Sequence, residues 1–351
     1  MIIFVSMSFL KKLKFLLFPF SILYGVIIMI RNKMYDMGVL KSVSFHIPVI
    51  SIGNLSVGGT GKTPHVEYLI RWLKEQKKIA VLSRGYGRKT KGYQLANEES
   101  NADILGDEPM QFYSKFGKDI TVAVHENRVK GVKKLLEETN PEIILLDDAF
   151  QHRAIQPKLS IILTPYDDLF TNDYLLPAGR LRESRSGAKR ADIIVVTKCS
   201  KQITPYDKKQ IINKINQWSK AKIYFSFIRY DTKIYGKNIL RIETLRHRNI
   251  ILVTGIANPK PMIEYLKNKL NIITHKKYPD HHNFSKKEAE SLLKNSKDAK
   301  NGKDAMIITT EKDYMRLQKF KSLRKVLYYL PIQVFFDQEE IFHKQVLKKL
   351  K

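Results

Sequence analysis

The residues Ser56-Val57-Gly58-Gly59-Thr60-Gly61-Lys62-Thr63 carry the clearest chemistry in the sequence. They fit G-x-x-x-x-G-K-[ST] at every fixed position but the first, where Ser56 replaces glycine. Glycines at 58, 59 and 61 let successive backbone N–H groups converge on phosphate oxygens, and a helix opening behind them aims its positive end at the same point. Lys62 then reaches the β- and γ-phosphates of a nucleoside triphosphate, and the Thr63 hydroxyl ligates Mg²⁺. A plain glycine-rich turn is the competing account, and the strand and helix readable on either side weigh against it. Such a loop needs a carboxylate at the end of a neighbouring buried strand, and Ile143-Ile144-Leu145-Leu146 runs directly into Asp147 and Asp148. One carboxylate serves the metal directly or through water and the other caps the next turn; the sequence leaves open which does which.

The elements around these residues alternate short apolar runs with amphipathic stretches, the pattern of βαβ units on a parallel sheet. Val49 to Ile52 reads as a buried strand, and Lys62 to Leu73 as a helix with Val66, Leu69, Ile70 and Leu73 on one face. Further strands are expected at Ile79 to Leu82, Ile120 to Val124, Ile143 to Leu146, Ser160 to Leu163 and Ile193 to Val196. A second series begins at Ile250 to Val253 and continues through Ile272 to Thr274 and Met306 to Thr309. The expected fold is therefore α/β: a P-loop NTPase-like, doubly wound sheet domain over 36–220 and a smaller α/β domain over 221–337. Lys222 to Ile228 and Val326 to Phe336 would pair as a two-stranded linker, and 338–351 forms a basic helix. The segment 1–35 is set apart as an N-terminal, membrane-associated helix.

Its composition explains that separation. Phe15 to Ile30 carries no charge, and Lys11, Lys12 and Lys14 precede it while Arg31 and Lys33 follow. The run is shorter than the roughly 20 residues that span hydrocarbon, and Pro19 and Gly25 interrupt it. A helix lying among lipid headgroups uses the same residues, with lysines on anionic lipid and Phe and Leu below. Spanning, or packing on the protein's own core, are the alternatives. The chain of 351 residues has 62 Lys and Arg against 34 Asp and Glu, a formal net charge of +28. That excess fits a polyanionic partner, either nucleic acid, anionic lipid or a phosphorylated substrate, or a lysine-rich proteome that charges every surface, and net charge alone does not decide among them. A single cysteine, Cys199, excludes intramolecular disulfides and zinc clusters and fits a reducing compartment.

The choice among P-loop classes rests on seven runs. These are Gly53 to Pro64, Leu82-Ser83-Arg84-Gly85-Tyr86-Gly87-Arg88, Gly106-Asp107-Glu108-Pro109, Asp147-Asp148-Ala149-Phe150-Gln151-His152, Leu176 to Glu183, Pro279-Asp280-His281 and Thr310-Glu311-Lys312-Asp313. In this order, over nearly the whole chain, they resemble the tetraacyldisaccharide 4'-kinase family of lipid A synthesis. The resemblance implies transfer of the ATP γ-phosphoryl to the 4'-hydroxyl of a tetraacylated glucosamine disaccharide 1-phosphate. It also implies work at the cytoplasmic face of a Gram-negative inner membrane, with a lipid substrate, no nucleic acid and no obligatory protein partner.

By the same resemblance Asp107 is the candidate base, paired with His281, and Arg182 lies near the transferred phosphate with Glu183 near the metal. Arg84 and Arg88 would meet the substrate's own phosphate or the lipid surface, and Lys312 would face nucleotide. Ala149 departs from the glycine usual in the family and leaves the backbone after Asp148 open, and Arg180 stands at a variable position. The rival class is a P-loop switch ATPase acting on a protein or nucleic-acid partner. Thr197-Lys198 faintly resembles a guanine-reading loop, but no aspartate sits two residues beyond the lysine. A nucleic-acid-binding ATPase would have no use for the apolar N-terminus.

Overall fold

The computed structural model describes residues 7–280, 282–298 and 304–351, so His281 lies outside the described residues, as do the side chains of Lys11, Lys12 and Lys14. Contacts divide the chain into two compact units. The first holds the residues up to Arg84, Asp119–Phe227 and Val334–Lys351; the second holds Gly85–Lys118 with Ile228–Gln333. Gly85–Lys118 therefore groups with the second unit although it lies inside the 36–220 span in sequence.

In the first unit a sheet runs in the order Ile332–Phe336, Lys222–Tyr230, Ile193–Thr197, Leu159–Pro165, Val49–Gly53, Ile143–Asp147, Ile79–Ser83, Thr121–Val124. From Lys222–Tyr230 to Thr121–Val124 every neighbouring pair is parallel. Strands covered on both faces have no solvent side to mark with polar residues, so they read as unbroken apolar runs. Val49–Gly53, Ile79–Ser83, Ile143–Asp147 and Ile193–Thr197 are buried at every position. The expected strands of this domain are all present.

The strand feeding the glycine loop is central, between Ile143–Asp147 and Leu159–Pro165. In register, Ile52 stands opposite Asp147. The two acidic residues therefore leave their strand level with the start of the loop. Gly53 is required there, because a Cβ at that position would lie 2.6 Å from the Phe150 Cβ.

Among the described residues the second unit has a six-stranded sheet, ordered Ile239–Arg241, Lys233–Tyr235, Leu327–Leu330, Met306–Thr310, Asn249–Thr254, Asn271–Lys277. Its last four strands are parallel neighbours and the first two form an antiparallel hairpin. One expectation changes form. Val326 to Phe336 is not one strand but two, Leu327–Leu330 and Ile332–Phe336, lying in different sheets. Pro331 separates them, since it has no N–H for a ladder and fixes its own φ. Ile332–Phe336 does lie beside Lys222–Tyr230, so the chain leaves and re-enters the first unit on adjacent strands.

The N-terminal helix is continuous from Met7 to Asp36, with Pro19 inside it. One face docks on the first unit. Ser21 is buried, donates to the Leu175 carbonyl at 3.0 Å and accepts from the Ala178 N–H at 2.9 Å. The Tyr24 hydroxyl donates to the Arg182 carbonyl at 2.7 Å. Gly25 permits the approach, since a Cβ there would come within 2.7 Å of Leu175. The other face carries Leu16, Phe20, Ile22, Leu23, Ile27, Met29 and Ile30, all exposed. The helix is long and apolar enough to cross a membrane, yet only 6% of that stretch is buried within the protein. The C-terminal helix Glu339–Leu350 packs on the helix behind the glycine loop, where His343 stacks on Trp72 and the Tyr68 hydroxyl donates to Glu339 at 2.6 Å.

Candidate active site

The segment Ser56 to Gly61 turns through two left-handed glycines, Gly58 at φ 113° and Gly61 at φ 91°. A Cβ at Gly58 would meet nothing within 4 Å, so the loop arches around open space. The helix Lys62–Leu73 follows, and no side chain caps its first turn. Unpaired N–H groups at a helix start, next to glycines without side chains, are a ready anion site. The loop is fixed from outside. Val57 N–H donates to the Arg180 carbonyl, Thr197 Oγ1 to the Thr60 carbonyl at 2.8 Å, and Lys198 Nζ to the Gly59 carbonyl. From within, Asn54 Nδ2 donates to the Ser56 carbonyl and to Thr60 Oγ1.

Lys62 Nζ lies 3.6 Å from Asp148 Oδ1 and 3.4 Å from Asn54 Oδ1. Arg182 grips both oxygens of Asp148, at 2.9 and 3.2 Å. Burial opposes ionisation of Asp148, but Lys62, Arg182 and Arg128 outweigh it and hold the carboxyl below its usual range. Asp148 itself takes the left-handed conformation, φ 47°, and Ala149 does not. The departure from glycine at Ala149 therefore leaves the turn intact. Asp147 is buried and accepts from Ser83 Oγ at 3.3 Å. Thr63, Asp147 and Asp148 offer hydroxyl and carboxylate oxygens, a donor set suited to Mg²⁺, which takes few protein ligands beside phosphate oxygens and water. Among the described residues no cluster of three His, Cys, Asp or Glu forms a closed metal cage.

Glu183 is 2% exposed and already engaged. Arg190, Gln151 Nε2 at 3.0 Å and Asn32 Nδ2 at 3.3 Å all donate to its carboxylate. Gln151 also donates to the Asn54 carbonyl at 2.8 Å, so it connects Glu183 to the loop. Arg128, Asn54 and Gln151 received no role from sequence reasoning. Arg128 is buried and donates to the Asp147 carbonyl at 3.3 Å, and burial lowers its pKa to about 10. Asn54 and Gln151 fall inside two of the seven runs that carry the family resemblance, and that position was the available signal.

His65, one turn into the same helix, sits between the Gly61 carbonyl at 2.7 Å and Ser226 Oγ at 2.8 Å. Burial lowers its pKa from 6.5 to about 4. Folded protein thus resists a proton that the unfolded chain accepts, so this contribution to stability is full above 6.5 and is lost as pH falls toward 4. Denaturant unfolding is expected to lose about 1.4 kcal/mol per pH unit from this group across that window. His65→Gln should remove that share of the slope and leave the share of His152, which burial also lowers to about 4. An unchanged slope would mean that His65 titrates normally.

The remaining candidates, apart from Arg84, lie in the second unit. Asp107 opens the helix Asp107–Phe116 after Gly106, whose φ is 91°. Arg316 donates to Asp107, and Lys312 to Glu108 at 3.0 Å. Arg88 donates to the Gly92 carbonyl at 2.7 Å, and Arg84 is exposed at the end of its strand in the first unit.

A central strand, an uncapped glycine loop with Lys62 and paired carboxylates from the next strand define a P-loop nucleotide-binding protein. Residues 13–351 match the family described as tetraacyldisaccharide-1-P 4'-kinase. The chain belongs to that family. It is 49% identical to the tetraacyldisaccharide 4'-kinase of Flavobacterium johnsoniae, over 98% of each chain. It is 51% identical to that of Flavobacterium psychrophilum, over 97% of each. A crystal structure of LpxK from Aquifex aeolicus in complex with ATP superposes with a TM-score of 0.77 at 31% identity, covering 97% of this chain and 100% of that one.

Proposed function

We propose that this protein transfers the γ-phosphoryl of ATP to the 4'-hydroxyl of a tetraacylated glucosamine disaccharide 1-phosphate. The observation that carries the reading is the meeting of Lys62, Asp148 and Arg182 at the mouth of the glycine loop in a chain of this family. Phosphoryl transfer asks mainly for position and charge neutralisation. Main-chain amides of Ser56 to Thr63 receive the phosphates, Lys62 follows the charge that builds on the transferred group, and Arg182 supplies a planar second cation. Thr63, Asp147 and Asp148 would hold Mg²⁺, which supplies charge neutralisation on the β- and γ-oxygens when bound. Glu183, held by Gln151 and Arg190, steadies this floor rather than offering a bare ligand. Asp107 accepts the hydroxyl proton, with His281 as its partner.

The exposed apolar face of the N-terminal helix supports attachment to the cytoplasmic surface of the inner membrane, where a lipid acceptor resides. Family membership does not favour a partner-driven switch. The test is direct. Purified protein with Mg²⁺ and ATP in detergent micelles is expected to convert the disaccharide monophosphate to a bisphosphate, read by mass. ATP turnover without phosphorylated lipid would overturn the reading.

A further inference from the structure

Asp107 is anchored by a relay within its own unit. Both Nε and Nη2 of Arg316 reach the same oxygen of Asp107, Oδ2, at 2.8 and 2.6 Å. The Arg316 side chain is only 7% exposed, and its Nη1 lies 3.4 Å from Oδ1 of Asp313 on the same helix, Glu311–Leu317. Asp313 is fully buried, and its Oδ2 accepts from the Gly255 N–H at 2.8 Å and from Thr310 Oγ1 at 2.7 Å. The relay thus starts at the turn that ends the Asn249–Thr254 strand and finishes at Asp107. That same turn abuts the segment before His281. A Cβ on Gly255 would fall 2.8 Å from Asp313 Oδ1 and 3.2 Å from the Pro279 carbonyl.

We infer that Arg316, braced by Asp313, is a positioning residue that fixes the Asp107 carboxylate by one oxygen and keeps the other directed for proton acceptance. This rests on the reading of Asp107 as the base. A carboxylate at a helix start can rotate about two side-chain bonds, and a general base gains its effect only when a lone pair points at the hydroxyl. Two donors on one oxygen stop that rotation without covering the second oxygen. A surface ion pair would be a weak brace, but this one is largely shielded from water and held from behind. The pairing also spans 209 residues of sequence, so it ties Gly85–Lys118 to the strand system of its unit at the position where the base sits.

The test is a cycle of full-length variants assayed for lipid phosphorylation. Arg316→Gln is expected to lower kcat about tenfold with KM for ATP changed less than twofold, and Arg316→Lys to recover part of that loss. In an Asp107→Asn background, Arg316→Gln should reduce kcat by less than a further factor of two. Thermal melting of each variant separates this from unfolding, and Asp313→Asn offers a second route to the same loosening if Arg316→Gln does not fold. Equal losses in both backgrounds, or a change confined to KM, would overturn the positioning role. If Asp107→Asn lowers kcat and Arg316→Gln does not, the relay alone is refuted. Wild-type turnover in Asp107→Asn would instead remove the base assignment and the relay with it.

Discussion

Lys62→Ala is expected to lower kcat/KM for lipid phosphorylation by about 10³, on the scale seen when a principal charge-stabilising group is removed from a transferring phosphoryl. The reason lies in its surroundings. The side chain is 16% exposed, and the contacts resolved for its ammonium are the 3.6 Å approach to Asp148 and the 3.4 Å approach to Asn54. No core packing depends on it, so the melting temperature should hold while turnover falls. Loss of Lys62 also leaves Asp148 with one fewer cation, although Arg182 continues to grip both its oxygens. A variant that melts normally and retains more than a tenth of wild-type kcat/KM would exclude Lys62 from charge stabilisation.

The second large effect is expected at Asp148. Asp148→Asn should reduce kcat by about 10² at saturating Mg²⁺, because the carboxylate fixes two cations as well as facing the proposed metal position. Replacing one oxygen by an amide breaks the fork to Arg182 and brings a donor toward Lys62. Arg182 would then be free to leave the position it holds beside the loop. Titrating Mg²⁺ separates the possibilities. Recovery to within threefold of wild type at high Mg²⁺ would confine Asp148 to metal binding and contradict the network role.

The glycine loop, Lys62 and the two acidic residues were legible because their chemistry is local. Glycines, a lysine and a threonine at fixed spacing encode one turn, and a continuous apolar run encodes a strand covered on both faces. Asp148 was legible as a residue but not as a left-handed turn, since an aspartate adopts φ 47° only when its surroundings require it. The supports were not legible. Gln151 reaches Asn54 across 97 positions, and Arg316 reaches Asp107 across 209. No periodicity relates such pairs. Neighbour order misled in the same way for Gly85–Lys118, which precedes most of the first unit's strands and yet packs with the second. Pro331 did signal a break, but an aromatic stretch on both sides obscured it.

Removing the N-terminal helix to gain solubility would not be a neutral excision. The segment that exposes an apolar face on one side donates hydrogen bonds on the other to the Leu175 and Arg182 carbonyls and to Glu183, and accepts one from the Ala178 N–H. A shortened protein would therefore lose scaffolding under Arg182, and a fall in its activity would confound loss of the proposed membrane attachment with slackening around that residue. Charged replacements at outward positions such as Leu23 and Ile27 keep the inner seam and isolate the first effect.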